Sequence, residues 1–193
     1  MKKIIALFAA AAMSAACLTG CVKIIDVGTE GQYTGEVAFD AAADSGSDWA
    51  QIVQEISDSA KAAADLTSDD FGKKVVAVIL SGEVTEFESK ANGKKNALIV
   101  KADGFDGAVK VQIGSIYSGT AIRDLQTLKV FENFTNQTEW SQYAKALNAE
   151  VDAQVVAPLA LDDSVVGKKV TITGAAEGSM DELTVTPVAL TVE

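Results

Sequence analysis

The chain has 193 residues, of which 48% are hydrophobic, and its 16 basic and 27 acidic residues give a net charge of −11. This acidic surplus disfavours binding to nucleic acid and electrostatic attachment to anionic lipid. The sequence has no histidine and only two cysteines, Cys17 and Cys21, which excludes Ser-His and Cys-His catalysis and zinc sites built on imidazole. Oxygen-ligated calcium sites and catalysis by paired carboxylates remain compatible with the composition.

The first 21 residues have the pattern of a bacterial lipoprotein signal. Lys2 and Lys3 precede an apolar stretch, residues 4–16, that is too short to span a bilayer, and residues 18–21 read LTGC, which matches a lipobox. The pattern predicts removal of residues 1–20 and acylation of Cys21. The alternative is an unlipidated secretory signal, cleaved near the small residues 14–16.

Processing of this kind changes what the chain exposes. Lys2 and Lys3 leave with the signal, so 14 basic residues face 27 acidic ones and the net charge becomes −13. Cys17 is removed and Cys21 is acylated, so we expect neither a disulfide nor a free thiol. We therefore expect acyl chains to hold the protein on a membrane of the cell envelope, facing the periplasm or the exterior, with no nucleic acid partner.

The segment after the signal predicts a tether followed by a helix. Residues 21–46 show no sustained hydrophobic period, which is typical of a linker. Ser47 is the expected N-cap of a helix, and the globular domain is predicted over residues 47–193, with a helical part at 47–73 and a β-rich part at 74–193. Apolar residues then recur at helical spacing at Trp49, Ile52, Val53, Ile56, Ala60 and Ala63.

From residue 75 onward the hydrophobic period changes to two, which indicates strands. Glycine-containing turns separate the first three strands, and two helical segments precede the last two. This order predicts an α+β fold, namely an OB-like five-stranded β-barrel with a helix between strands three and four. An N-terminal helix is expected to pack on the barrel. The alternative is an open mixed sheet. The predicted strands are 75–88, 96–101, 108–114, 168–174 and 182–192, and the predicted helices are 120–130 and 137–151.

Arg123 is the single arginine among the 16 basic residues. Its planar guanidinium can hold a carboxylate or phosphate through two hydrogen bonds, which lysine cannot do. We predict that Thr120, Arg123 and Asp124 belong to a ligand-binding or partner-binding surface. The alternative is a structural anchor, in which Arg123 bonds its own neighbour Asp124.

A second polar segment lies between two aromatic residues, just ahead of the predicted helix 137–151. Amides offer both donors and acceptors, and neighbouring aromatic rings can cover the apolar face of a sugar. We predict binding roles for four side chains of this segment: Asn133, Thr135, Asn136 and Gln137. In the competing interpretation Asn136 is an N-cap with Glu139 three residues on, and Phe134 packs into the core.

No segment predicts catalysis. Residues 103–107, DGFDG, resemble a fragment of a calcium loop, yet the ligand series that ends in a glutamate is missing, so a hairpin turn is the better interpretation. We assign no catalytic residue, no metal site and no cofactor.

Several segments resemble domain-of-unknown-function family 2291. They are residues 21–25 (CVKII), 111–115 (VQIGS) leading into 119–124 (GTAIRD), and 131–137 (FENFTNQ) followed by Leu147 and Asn148. The chain departs from the family at Ser115, where proline is frequent. The resemblance implies a periplasmic lipoprotein of the kind often encoded beside sugar ABC transporters, and it implies no catalytic residues.

Together these observations predict a non-enzymatic, lipid-anchored accessory protein of an ABC-type sugar uptake system. Its expected partners are the membrane, through the acyl chains, and a sugar ABC transporter, its soluble binding protein or a small sugar. Two alternatives stay open: an envelope glycan hydrolase that uses carboxylates, and a structural envelope lipoprotein without a ligand.

Overall fold

The computed structural model describes residues 39–89, 96–114 and 116–193. Five strands close into a barrel, and a short sixth strand pairs with one of them. The sheet order is β1-β2-β3-β4-β6-β5, and a further pairing of β2 with β5 closes the barrel. The pairs β1–β2 and β4–β6 are parallel and the others antiparallel. The strands are β1 (Lys61–Ala62), β2 (Val75–Glu88), β3 (Ala97–Ala102), β4 (Ala108–Gln112), β5 (Lys169–Gly178) and β6 (Glu182–Val192).

This topology confirms the OB-like barrel and not the open mixed sheet. The predicted signal peptide, Cys21 and residues 22–38 of the predicted tether lie outside the described residues. Residues 40–193 form one compact unit. Within the described ranges, no helix combines the length and apolarity needed to cross a bilayer.

The long strand β2 closes the barrel because it pairs along its length with two partners. Gly82 is in register with Ala102 of β3 and with Val170 of β5. A Cβ atom at this position would lie 2.3 Å from the carbonyl oxygen of Lys101, a distance that no side chain tolerates. Glycine at residue 82 therefore permits the close approach of β3 where β2 changes partner.

Aliphatic side chains fill the core, as the two-residue period predicts. The strands supply fully buried valines, leucines and isoleucines on alternate positions. These include Val78, Val84, Leu98, Val109, Val111, Ile172, Leu183 and Val185.

Three α-helices accompany the barrel in the described residues: α1 (Ala41–Ser59), α2 (Ala121–Leu125) and α3 (Gln137–Glu150). Helix α3 continues into a π-helical turn, Val151–Val156. Helices α2 and α3 lie between β4 and β5, which are barrel strands three and four, as predicted. Helix α1 packs mainly against α3 and also contacts β2 and β5. Its apolar face buries Ile52 and Ile56 completely.

The start of α1 differs from the prediction. Asp40 is the N-cap, and its Oδ1 accepts hydrogen bonds from the N–H groups of Ala42 and Ala43, both at 3.1 Å. The prediction of Ser47 as N-cap, with a tether up to residue 46, is therefore wrong for residues 41–46. Alanine is the best helix former, so a capped alanine run begins a helix without large apolar residues to reveal its period.

Two other predicted helical segments are shorter than expected. Residues 47–73 are not helical throughout, because β1 interrupts them and pairs with β2. The predicted helix 120–130 is reduced to α2, which ends before Gln126. The buried Gln126 Nε2 donates to the carbonyls of Arg123 and Lys129 at 3.1 and 2.6 Å and so holds the chain in a turn. Residues 103–107 connect β3 to β4, as predicted for a hairpin turn.

Candidate functional site

The two polar segments singled out in the sequence meet at the side chain of Trp140 on α3. The Cζ atom of Arg123 lies 4.5 Å from the centroid of the Trp140 ring. From the other segment, the Phe131 ring lies 6.3 Å from Trp140 in an edge-on arrangement. Phe131 and Val130, its neighbour in the chain, are 38% and 50% exposed. We call this group, Arg123, Val130, Phe131 and Trp140, the Trp140 surface.

Arg123 is held in place by its own segment. Its Nε and Nη2 atoms donate to Asp124 Oδ1 at 2.8 and 2.6 Å, and Nη2 also donates to Thr120 Oγ1 at 3.2 Å. The Thr120 hydroxyl in turn donates to Asp124 Oδ2 at 2.6 Å. These contacts are the ones expected for the structural anchor, and only 14% of the Arg123 side chain is exposed. Among the described residues Nη1 has no hydrogen-bond partner, so a binding role for this group stays a prediction.

The amide segment also has the structural role that the sequence allowed for. Asn136 is the N-cap of α3: its Oδ1 accepts from the N–H of Glu139 at 3.0 Å, and Glu139 Oε2 accepts from the N–H of Thr135 at 2.8 Å. This is a variant of the capping box. Phe134 is buried, with its ring 5.0 Å from that of Trp140, and so fixes the entry of the chain into α3.

The remaining side chains of this segment differ in what they contact. Asn133 Oδ1 accepts from the N–H of Val130 at 2.9 Å and closes the turn that presents Phe131. The side chains of Thr135 and Gln137 are exposed and make no hydrogen bond within the described residues. The predicted binding roles of Asn133, Thr135, Asn136 and Gln137 stay predictions, with Asn133 and Asn136 already using their carbonyl oxygens.

A partly buried ionic network fixes Lys129, the residue directly before Val130 and Phe131, to α1. Lys129 Nζ lies 3.0 Å from Asp44 Oδ2 and 2.9 Å from Asp48 Oδ2. The Tyr143 hydroxyl donates to Asp48 Oδ2 at 2.8 Å. Desolvation lowers the pKa of Lys129, but the hydrogen bonds to Asp48 and Asp44 outweigh it, so the pKa lies above its ordinary value. The network joins positions about 80 to 100 residues apart, so sequence reasoning did not find it.

An acidic side chain of the barrel lies next to the Arg123 segment. Burial, and then the charge of Asp124, raises the pKa of Glu177 on β5 above its ordinary value. A Cβ atom at Gly119 would lie 2.7 Å from Glu177 Oε2, and Gly119 itself has a φ of +79°. The chain therefore needs glycine here to pass over Glu177 and enter α2.

The described part of the chain contains no cluster of side chains suited to a metal ion. Within those ranges, no three His, Cys, Asp or Glu side chains group closely enough to hold a metal ion. The structure therefore adds no cation site to the Trp140 surface.

Comparisons with known proteins agree with the sequence and the fold. The model of domain-of-unknown-function family 2291, described as a predicted periplasmic lipoprotein, matches residues 9–191, which confirms the resemblance and the expected envelope location. An OB-fold protein from Thermotoga maritima is similar in structure, with a TM-score of 0.56 and 15% identity over 81% of this chain and 100% of that one. At this identity the likeness supports the fold alone. No curated protein matches the chain.

Proposed function

We propose that this chain is a non-enzymatic accessory protein of a sugar uptake system. The chain belongs to domain-of-unknown-function family 2291, a family of predicted periplasmic lipoproteins. It is held on a membrane by acyl chains on Cys21 and contacts the ABC-type transporter or the soluble binding protein of that system. The observation that carries the proposal is the Trp140 surface, which presents aromatic, aliphatic and arginine groups together.

The composition of this surface suits a contact with a protein. Tryptophan, tyrosine and arginine are the residues most enriched among those that dominate binding energy at protein interfaces. Phe131 and Val130 are large apolar side chains that are at least 38% exposed, and Arg123 lies against Trp140 with a donor to spare. A partner would bury this apolar area and offer an acceptor to Arg123.

The surface is also preorganised. The Lys129 network fixes the chain just before Val130 and Phe131 to α1, and the Asn136 cap fixes the chain just after them to α3. Side chains that are ordered before binding lose less entropy when the partner arrives. Because Asn133 and Asn136 use their carbonyl oxygens for the turn and the cap, the surface favours a protein partner over a sugar held by amides.

The experiment compares sugar uptake in a deletion strain that expresses the full-length lipoprotein or its variants. Phe131→Ser removes an exposed ring of the surface, and Val166→Ser removes an exposed apolar side chain, 45% exposed, elsewhere on the domain. We expect Phe131→Ser to lower the uptake of labelled ribose, xylose or galactose and to abolish chemical crosslinking to the transporter or its binding protein. Val166→Ser should retain both.

Unchanged uptake and crosslinking in the Phe131→Ser strain, with the variant folded and abundant, would contradict the proposal. The alternative of a structural lipoprotein predicts a different result: deletion would increase sensitivity to detergents without a growth defect specific to one sugar. Release of reducing sugar from envelope glycans at catalytic rates would instead indicate a hydrolase.

A further inference from the structure

A cleft beside α3 is lined by a tyrosine whose hydroxyl has no hydrogen-bond partner within the described residues. The cleft has a volume of about 380 Å³, which lies within the range of about 300–1,000 Å³ typical of small-molecule sites. We call it the Tyr117 cleft. It is lined by Ile116, Tyr117, Lys145, Asn148, Ala149 and Asp152.

The unpartnered group is the hydroxyl of Tyr117. Its oxygen is shielded from solvent and has no hydrogen-bond partner within the described residues. Buried tyrosine hydroxyls usually find a partner, and an unsatisfied one in a native protein indicates an absent water or ligand, or a functional role. Burial first, and then the charge of Asp152, raises the pKa of Tyr117 above its ordinary value, so this hydroxyl keeps its proton and can donate.

The opposite wall of the cleft carries polar groups at helical spacing. Lys145, Asn148 and Asp152 lie at positions i, i+3 and i+7, which places them on one face of α3 and of the π-helical turn that follows it. π-Helical turns occur frequently at functional sites. Leu147 and Val151 are fully buried on another face, so the polar face is not needed for packing.

Two of these polar groups are free to bind a molecule, and the third, Asn148, keeps its acceptor oxygen free. Neither the Lys145 ammonium nor the Asp152 carboxylate has a partner among residues 39–89, 96–114 and 116–193. Asn148 Nδ2 donates to the carbonyl of Gly119 at 3.3 Å, which orients its Oδ1 as an acceptor. The cleft therefore offers donors from Lys145 and Tyr117 and acceptors from Asn148 and Asp152.

The balance of these groups indicates the class of ligand. One positive and one negative side chain give the wall no net charge, so an uncharged molecule is not disfavoured. Hydroxyl groups both donate and accept and can serve all four side chains at once. Ile116, which is 54% exposed, offers an apolar surface to the C–H face of a ring.

We infer that the Tyr117 cleft binds a small uncharged polyhydroxylated molecule, a monosaccharide or polyol, with Tyr117, Lys145, Asn148 and Asp152 as its hydrogen-bonding residues. This site uses none of the residues of the Trp140 surface. It stands independently of the partner contact proposed above, and its test needs only the isolated protein.

The test is thermal unfolding of the purified full-length lipoprotein in detergent, followed by tryptophan fluorescence. The probes are D-ribose, D-xylose, D-galactose and myo-inositol, each titrated to saturation, with L-serine and L-glutamine as zwitterionic comparisons. A ligand at a hundredfold its Kd should raise the Tm by roughly 5–10 °C in a domain of this size. We expect one or more of the four polyhydroxylated probes to give a saturable shift.

Variants locate the site. Tyr117→Phe and Asp152→Asn should each weaken the apparent affinity at least about tenfold, which corresponds to about 1.4 kcal/mol, while the unliganded Tm stays close to that of the unsubstituted protein. Asp163→Asn removes the same charge from an exposed position outside the cleft and should leave the affinity unchanged.

Three results would overturn the inference. They are the absence of any shift with the polyhydroxylated probes, a saturable shift with the amino acids alone, and a shift that Tyr117→Phe and Asp152→Asn leave unchanged. A defect in partner crosslinking with intact sugar binding would leave this inference standing and concern only the Trp140 surface.

Discussion

The guanidinium of Arg123 lies over the indole of Trp140, with 4.5 Å between Cζ and the ring centroid, and in this way α2 is fixed to α3. Two hydrogen bonds to Asp124 hold the guanidinium plane in the same position. The bonds and the ring contact require the planar fork of arginine, which a lysine ammonium does not provide. The single arginine of the chain therefore has a structural role that 15 lysines elsewhere could not take over.

The first prediction concerns Arg123→Lys. The variant loses both bonds of the fork and most of the contact with Trp140, so we expect the free energy of unfolding to fall by about 1 kcal/mol. Urea denaturation measures this change. A double-mutant cycle with Asp124→Asn should show a coupling between the two positions of at least about 0.5 kcal/mol. Additive effects of the two substitutions would contradict the anchor.

The second prediction compares two tyrosines that differ in their partners. Tyr143 donates to Asp48 at 2.8 Å, so Tyr143→Phe should lower the free energy of unfolding by about 1.5 kcal/mol, the usual loss for a hydrogen bond to a charged group. The hydroxyl of Tyr117 has no partner among the described residues, so Tyr117→Phe should be neutral or stabilising in the absence of ligand. Equal losses in both variants would indicate that the Tyr117 hydroxyl has a partner in the folded protein.

The third prediction separates the N-cap from its neighbour. Asn136→Ala removes the acceptor for the N–H of Glu139 and should cost about 1 kcal/mol of stability. Asn136→Asp keeps an acceptor oxygen and should cost less. Gln137→Ala changes an exposed side chain without a hydrogen bond in the described region and should stay within about 0.5 kcal/mol of the unsubstituted protein. A larger loss at residue 137 than at residue 136 would be incompatible with the observed cap.

Local patterns were sufficient to predict the barrel. The two-residue period and the glycine turns marked the five long strands, since each strand must place alternate side chains in one core. The early start of α1 was missed because Asp40 caps an alanine run that has no apolar period. The capped alanines were nevertheless a readable signal, since aspartate followed by alanine is favourable at a helix start.

The candidate sites were predictable only in part. The sequence singled out Arg123 and Asn136 by residue type; it offered a cap for Asn136, which the structure shows, and an anchor for Arg123, with which the contacts of Arg123 agree. It gave no sign that Trp140 joins the two segments, because that contact depends on how α2 packs against α3. The Tyr117 cleft was not found either, since burial of one hydroxyl is a property of the folded chain and not of a motif.

The last prediction concerns the pH dependence that Glu177 contributes. Burial and the charge of Asp124 raise the pKa of Glu177 in the folded protein above its ordinary value of 4.5. The folded state thus holds this proton more tightly than the unfolded state does, so the contribution of Glu177 to stability falls as the pH rises through the ordinary pKa and levels off above the raised one. Glu177→Gln removes the charge and should be more stable than the unsubstituted protein near neutral pH.

The size of that stabilisation should depend on pH in a specific way. Glutamine and protonated glutamate are similar in shape and charge, so the difference in unfolding free energy should be small near about pH 3 and grow to a plateau by about pH 7. Urea denaturation of the two proteins across this range measures the effect. A stabilisation by Glu177→Gln that is constant with pH would mean that the ionisation of Glu177 is not its cause.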